Sequence, residues 1–425
     1  MLISPVVRGL FSRSFILVAS ALLASCAGHA GPVRALSAEA RAVLQRAPLV
    51  YGPPDAPRTA PSERLRAAFE SGLSKEMSAV LRHEPALDMV ASVMAETYDE
   101  HEGRPSHAVT QWLFWKSGAT SQFSHAHTAW ASRTNAVERL DAKALEFAQK
   151  LTVTKPRTYG VARITYGRKT TQAIVIGTAP LVVTTLPKAY APGAPFTLQI
   201  RPLDASPGFV LLADTESGDV AEEKLTQRDD GSFFVSRAVP ARPGRYFIEV
   251  RATRPSATGV AEVPWERPVL WLPIYVGAPE PADPDPAMTS PLPSPTDPTA
   301  WPAWITAQYD AERARRGKAP ITPHPVLAEV ARDRSRAFAV SSGEAALERN
   351  FDKLTALGLT PKKLQEHHEP FESVSDYVVL RLLHPSGRKL VLMPDHLLLG
   401  IGITPRERPT HGRTEYDAIE QVALP

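Results

Sequence analysis

Residues 312–339 read ERARRGKAPITPHPVLAEVARDRSRAFA. A helix from Pro302 to about Arg316 ends in a short loop, and a long helix opens at Pro325 and runs to Val340. Beyond it the pattern predicts a shorter helical pair between Ala345 and Leu383, then closing strands at Leu397 to Ile403 and Tyr416 to Ala423. The same order occurs earlier in the chain. Residues 82–103, RHEPALDMVASVMAETYDEHEG, place Leu87, Val90, Ala91, Met94, Ala95 and Tyr98 on one helix face after Pro85. A helical pattern from Ser62 to Leu81 precedes them. A helix capped by Ser106 and another from Asp141 to Leu151 follow, and then a hairpin, YGVARITYGRKTTQAIVIG at 159–177, turns at Gly167. Two copies of one α+β fold are therefore expected, at 62–178 and 301–425.

The stretch between the copies has a different period. Short β-like runs fall at Leu181 to Leu186, Phe196 to Pro202, Phe209 to Ala213, Ser232 to Val239, Tyr246 to Ala252 and Val269 to Val276. Turn signals such as Asp230-Gly231 and Pro243-Gly244 separate them, which predicts an antiparallel sandwich over 179–277. Residues 229–252, DDGSFFVSRAVPARPGRYFIEVRA, resemble the later strands of bacterial immunoglobulin-like modules, and that resemblance gives Tyr246 the tyrosine-corner part. The chain has 41 prolines, and they gather between these units. Residues 26–61 accordingly read as a tether with one helical stretch, Ser37 to Gln45, and residues 278–300 as a linker.

The last segment resembles the CAP (SCP-like) family of the bacterial type. The resemblance rests on 312–339 together with HPSGRKLVLMPDHLLLGIGI at 384–403 and YDAIEQVA at 416–423. It covers Trp301 to Pro425. The N-terminal copy resembles the family only through its long helix and its hairpin. The resemblance implies an α-β-α sandwich whose cleft carries two histidines and two glutamates suited to a divalent metal. Here the set is incomplete. FAVSSGEAA stands where the first histidine belongs, and the second falls at Gly387, with His384 three positions earlier. Glu366 in LQEHHE lies near the position of one family glutamate.

Two imidazole clusters are candidates for chemistry. His125 and His127, with His101 and His107 upstream, form a His-x-His pair that a strand would project to one face, although no fixed spacing supplies a third ligand. Glu366, His367 and His384 are the residues a relocated hydrolytic site would use. Trp112, Trp115 and Trp130 could stack on a sugar or lipid, but the three-residue spacing of the first two is the ordinary signature of burial. No nucleophile elbow, phosphate loop, zinc-ribbon cysteine pair or dinucleotide fingerprint is present.

The chain opens with Arg8 and Arg13 before the apolar run Phe15 to Leu23, too short to span a bilayer. This is read as a signal peptide over 1–25. Leu23-Ala24-Ser25-Cys26 follows and resembles the bacterial lipobox, which implies lipid attachment at Cys26, the only cysteine. Lysine and arginine number 48 against 45 acidic residues, with no basic block, so nucleic acid is not an expected partner. Ala27 lacks the aspartate associated with inner-membrane retention, which favours an outer membrane if the cell has one.

The expectation is a non-catalytic, lipid-anchored cell-envelope binding module: two CAP-like domains flanking an immunoglobulin-like sandwich. It needs no cofactor, and its ligand is an envelope lipid, glycan or protein. The alternative is a metal-dependent hydrolase using Glu366, His367 and His384, with His125, His127 and His384 as the candidate metal ligands.

Overall fold

The computed structural model describes residues 36–52, 60–97, 105–132, 135–151, 156–203, 208–254, 265–289, 292–340, 364–371, 373–393, 397–405 and 416–423. Cys26, the leader and His101 lie outside them.

The N-terminal α+β unit is built on four strands: β2 (Leu81–His83), β3 (Gln122–Ser132), β4 (Arg157–Tyr166) and β5 (Lys169–Thr178). They lie in the order β2-β4-β5-β3, with β2 parallel to β4 and the other pairs antiparallel. Alternation along the hairpin divides its side chains between two faces. Ala162, Ala173 and Val175 meet helix α4 (Pro85–Thr97), whereas Tyr159, Val161, Ile174 and Ile176 pack with Leu65, Phe69 and Phe147. Those last three come from α2 (Ala60–Glu70) and α6 (Ala136–Lys150), so the sheet is covered on both sides. Helix α5 (His107–Ser117) is started by Ser106, whose hydroxyl accepts from the Val109 amide, and closed by Gly118 at φ 81°.

The C-terminal unit repeats this topology. Strands β16 (Thr322–Pro323), β17 (Leu364–Phe371), β18 (Leu398–Pro405) and β19 (Tyr416–Ala423) lie in the order β16-β18-β19-β17, again with only the first pair parallel. The correspondence holds residue by residue. Glu84 donates its amide to Tyr159 O as His324 does to Leu399 O, and Pro85 and Pro325 open the long helices α4 and α9 (Pro325–Val340). A Cβ on Gly160 would meet Leu87 C at 2.1 Å, and one on Gly400 would meet Leu327 C at 2.1 Å. Each pair is separated by 240 residues (Gly160 to Gly400, Leu87 to Leu327). Only glycine lets the helix come this close to the strand, so the two glycines set the same helix-on-sheet spacing in both copies.

Between the copies lie two sheets. One, in the order β11-β10-β14-β15-β8, is formed by Val220–Lys224, Gly208–Asp214, Gly244–Arg254, Trp265–Val276 and Ala189–Tyr190. The other, β12-β13-β9-β6, is formed by Thr226–Gln227, Phe233–Ala238, Pro195–Pro202 and Leu181–Val183. Phe196, Leu198, Ile200 and Val235 on the second sheet pack in one core with Leu211, Ile248 and Val250 on the first. Gly231, at φ 77°, makes the expected turn, and Tyr246 OH donates to Arg242 O at 2.8 Å, the bond of a tyrosine corner.

Several elements differ from the sequence reading. Strand β3 occupies a stretch with no predicted element, and β17 stands where helix was expected. Both are edge strands of four-stranded sheets, a role that pairing on one side defines and local pattern does not. The helical run from Ser62 breaks at 71–74, because Ser74 caps a second helix, α3 (Lys75–Val80), and Leu81 leaves it to pair with β4.

The described parts of both proline-rich connections are packed against the folded units. Helix α1 (Ala38–Leu44) buries Ala40 and Leu44, and Tyr51 is fully buried with its hydroxyl donating to Pro273 O at 2.7 Å. In the second connection Trp301 and Trp304 donate to Pro295 O and Pro293 O, and Leu292 N donates to Ser375 Oγ. Proline removes amide donors but leaves its carbonyls free, and indole donors take them up here.

Candidate functional site

The three units meet at Trp271. It lies on β15 directly opposite Glu249 on β14 (Gly244–Arg254), so both side chains leave the same face of the sheet. That face is the outer one, and it is covered. Trp115 from α5 stands edge-on to Trp271 with centroids 4.5 Å apart and donates its indole N–H to Trp271 O at 2.9 Å. From the other side, the His384 ring stacks on Trp271 with centroids 3.5 Å apart.

His384 ends helix α10 (Val374–Leu383), and Pro385 begins α11 (Pro385–Val391). This corner brings a set of donors to Glu249, whose exposure is 0%. His384 Nδ1 donates to Glu249 Oε2 at 3.3 Å, the Ser386 amide donates to the same oxygen at 2.9 Å, and Arg251 Nε lies 3.5 Å from Oε1. Burial pushes the Glu249 carboxyl up, but the His384 hydrogen bond and charge, the Arg251 charge and the Ser386 amide together hold it down at about 2. Arg388 pairs with Asp214 and Lys389 with Glu222, which extends the contact along the sandwich. A Cβ on Gly387 would meet Arg381 O at 1.8 Å, so the tight corner excludes any side chain there, including the histidine of the CAP pattern.

Hydrogen bonds continue from the corner into the C-terminal unit. Arg381 Nη1 donates to Ser386 Oγ at 3.3 Å and Arg381 Nε donates to Glu420 Oε2 at 3.0 Å. Tyr377 OH donates to Glu420 Oε1 at 2.6 Å, and Tyr309 OH donates to the same oxygen. Burial raises both phenols, with the Glu420 charge as the next cause. A second polar knot joins the N-terminal unit to the sandwich. Lys188 Nζ donates to Lys116 O at 2.6 Å and pairs with Glu280 at 3.1 Å, and Lys116 pairs with the same carboxylate at 3.2 Å. Burial lowers Lys188 to about 8 against the pull of Glu280.

The candidates from sequence are distributed as follows. His384 is engaged with Glu249 and Trp271. His127 stacks on Phe147 at 4.7 Å and 13°, inside the N-terminal unit. His125 lies two positions away on β3, beside a bulge. His107 gives its amide to Asp376 at 2.9 Å, and its ring stands edge-on to Phe123. Glu366 and His367 are consecutive on β17, opposite Gln421 and Glu420. By register His367 is the counterpart of His127, since they oppose Glu420 and Ile174, the partners of Ile401 and Val161. Trp112 and Trp115 are buried. Among the described residues, no three or more His, Cys, Asp or Glu side chains gather as metal ligands would.

Sequence reasoning missed Glu249, Trp271 and Glu420. A usable signal existed, because VLWLPIYV at 269–276 and the run around Glu249 in YFIEV lack the polar alternation of a half-exposed strand. Such runs mark strands covered on both faces.

No family model matches the chain, and no curated protein matches it. Among solved structures, it is similar to a cysteine-rich secretory protein from Staphylococcus aureus, at 13% identity and a TM-score of 0.23, over 53% of this chain and 77% of that one. An extracellular protein containing a SCP domain from Bacillus anthracis matches at 10% identity and a TM-score of 0.20, over 57% of this chain and 67% of that one. The D1–D4 ectodomain fragment of ICAM-5 matches at 11% identity and a TM-score of 0.16, over 64% and 54%. Superpositions of that quality fix neither fold nor function. Among the described residues, no helix is long and apolar enough to cross a membrane.

Proposed function

We propose that the chain is a lipid-anchored cell-envelope protein acting as a non-catalytic binding or interaction module, in which two CAP-like domains flank an immunoglobulin-like sandwich. The observation that carries this reading is the use made of His384. Its ring is committed to a stack on Trp271 and a bond to Glu249 of another unit, and the ring of His127, a second candidate ligand, stacks on Phe147. A general base or metal ligand needs a free lone pair facing a cleft. The repeated sheet order and helix-on-glycine contact support the pairing of CAP-like domains, and the Tyr246 bond supports the immunoglobulin-like reading of the sandwich. The apolar run before Cys26 supports the anchor and an envelope location, with an outer membrane favoured.

The test is native mass spectrometry of a soluble form beginning at Ala27, before and after exposure to envelope extract and to zinc. A retained small molecule or protein, chemically unchanged, is expected. Stoichiometric zinc that is lost in His384→Ala, or turnover of an envelope glycan or peptide that is lost in Glu366→Gln, overturns the reading in favour of a hydrolase.

A further inference from the structure

We propose that the tip of the β4–β5 hairpin in the N-terminal unit is a lipid-contacting surface that rests on the headgroups of the bilayer holding the anchor. The inference rests on lipid attachment at Cys26 and deepens that reading by assigning the face that meets the membrane.

Leu36 is buried and Ser37 caps α1, at the start of the described residues. Only Ala27 to Ala35, nine residues, separate Leu36 from Cys26. Fully extended, they reach roughly 35 Å, which keeps the face around Ser37 close to the bilayer. What surrounds Ser37 is specific. Its hydroxyl donates to Glu96 Oε1 at 3.5 Å, and Tyr166 OH donates to the other oxygen of Glu96. The chain therefore enters the body beside the hairpin tip, where Tyr166 is 51% exposed.

The tip has interfacial chemistry. Tyr166, Gly167 and Arg168 are exposed, and Gly167 takes the turn at φ 58°. Lys169 lies opposite both Tyr166 and Ser132, with its ammonium 5.4 Å from the ring centre of half-buried Trp130. Tyrosine and tryptophan favour the headgroup layer because one end is apolar and the other polar, and lysine and arginine are drawn to anionic lipid. Glu39 lies in the first turn after Ser37, Glu96 is occupied by Tyr166 and Ser37, and Asp283 is paired with Arg41 of the same helix.

The experiment uses the full chain in vesicles of phosphatidylethanolamine and phosphatidylglycerol, with an intact-mass spectrum recording whether Cys26 is acylated. A polarity-sensitive fluorophore is attached through Arg168→Cys in one sample and through Glu223→Cys, exposed on the sandwich, in another. With Cys26 acylated, the first label should shift to the blue and be quenched by spin-labelled lipid, while the second stays in water; equal exposure of the two overturns the surface. The unacylated Cys26→Ser chain should still partition weakly onto the same vesicles, and Arg168→Gln with Lys169→Gln should lower that partition about five-fold for each charge removed. Partition indifferent to these substitutions overturns the hairpin assignment. An unacylated Cys26 in the mass spectrum overturns the anchor alone, because the Cys26→Ser partition still tests the hairpin.

Discussion

His384 Nδ1 lies 3.3 Å from Glu249 Oε2, a bond between the C-terminal unit and the sandwich made where the carboxylate has no exposure to water. A buried acceptor of this kind depends on each of its donors, since losing one leaves charge or dipole uncompensated in a low-dielectric site. The seam around it is part of a core that runs from the N-terminal unit through the sandwich and takes in Val379 and Leu380 of the C-terminal unit.

Glu249→Ala should destabilise the chain by about 3–5 kcal/mol, because His384 and the Ser386 amide lose their acceptor and Arg251 loses its counter-charge. Urea unfolding at neutral pH measures it. The contribution also depends on pH in a definite direction. The Glu249 carboxyl is held at about 2 in the folded protein against 4.5 as a free group. Its stabilisation is therefore complete above the free value and lost as pH falls from there toward about 2. The gap between wild type and Glu249→Gln should narrow over that window.

Glu420→Ile should cost about 3–5 kcal/mol on its own, since Arg381, Tyr309 and Tyr377 would be left facing an apolar group. Adding Arg381→Met should recover a large part of that loss. A double-mutant cycle in urea reads the coupling, and additive costs would mean that Glu420 and Arg381 act independently.

Gly160→Ala and Gly400→Ala should each destabilise by about 1–3 kcal/mol or more, through overpacking of a methyl group against the backbone of the long helix. Similar losses at the two positions, compared by thermal melting, would express the repeat in energetic form. Loss at one position alone would show that the copies have diverged in helix spacing.

Burial holds Lys188 at about 8 rather than 10.5, so the folded chain releases this proton before the unfolded chain does. The slope has the same sign as that of Glu249, in a more alkaline window. Stability from this group should rise as pH climbs from about 8 toward 10.5, because the unfolded state then binds more protons. The difference between wild type and Lys188→Met isolates it, since the buried tyrosines are common to both chains.

Much of the fold was legible in the chain. Pro85 and Pro325, each opening a periodic apolar helix, and the hairpins that close each copy mark the repeat, because helix starts and tight turns are local devices. Gly231 and Tyr246 likewise announced a turn and a corner. Strands β3 and β17 were not legible, since each pairs along one side with residues distant in sequence. The site divided in the same way. Histidines can be counted from sequence, but whether a ring faces a cleft or another unit cannot. His384 was a candidate cleft residue from sequence, and its ring turns to Trp271.

The sequence by itself determined the repeat, the sandwich between the copies and the absence of a disulfide from a chain with one cysteine, because periodicity, turn chemistry and residue type are properties of neighbours along the chain. Only the tertiary structure decided that the units share a buried seam. Glu249 and His384 are 135 positions apart, and a polar residue in an apolar run carries no mark of its partner. The proline-rich segments were decided at the same level. Composition recorded their missing amide donors, but the carbonyls they present could be assigned only once the indoles of Trp301 and Trp304 had been brought against them by folding.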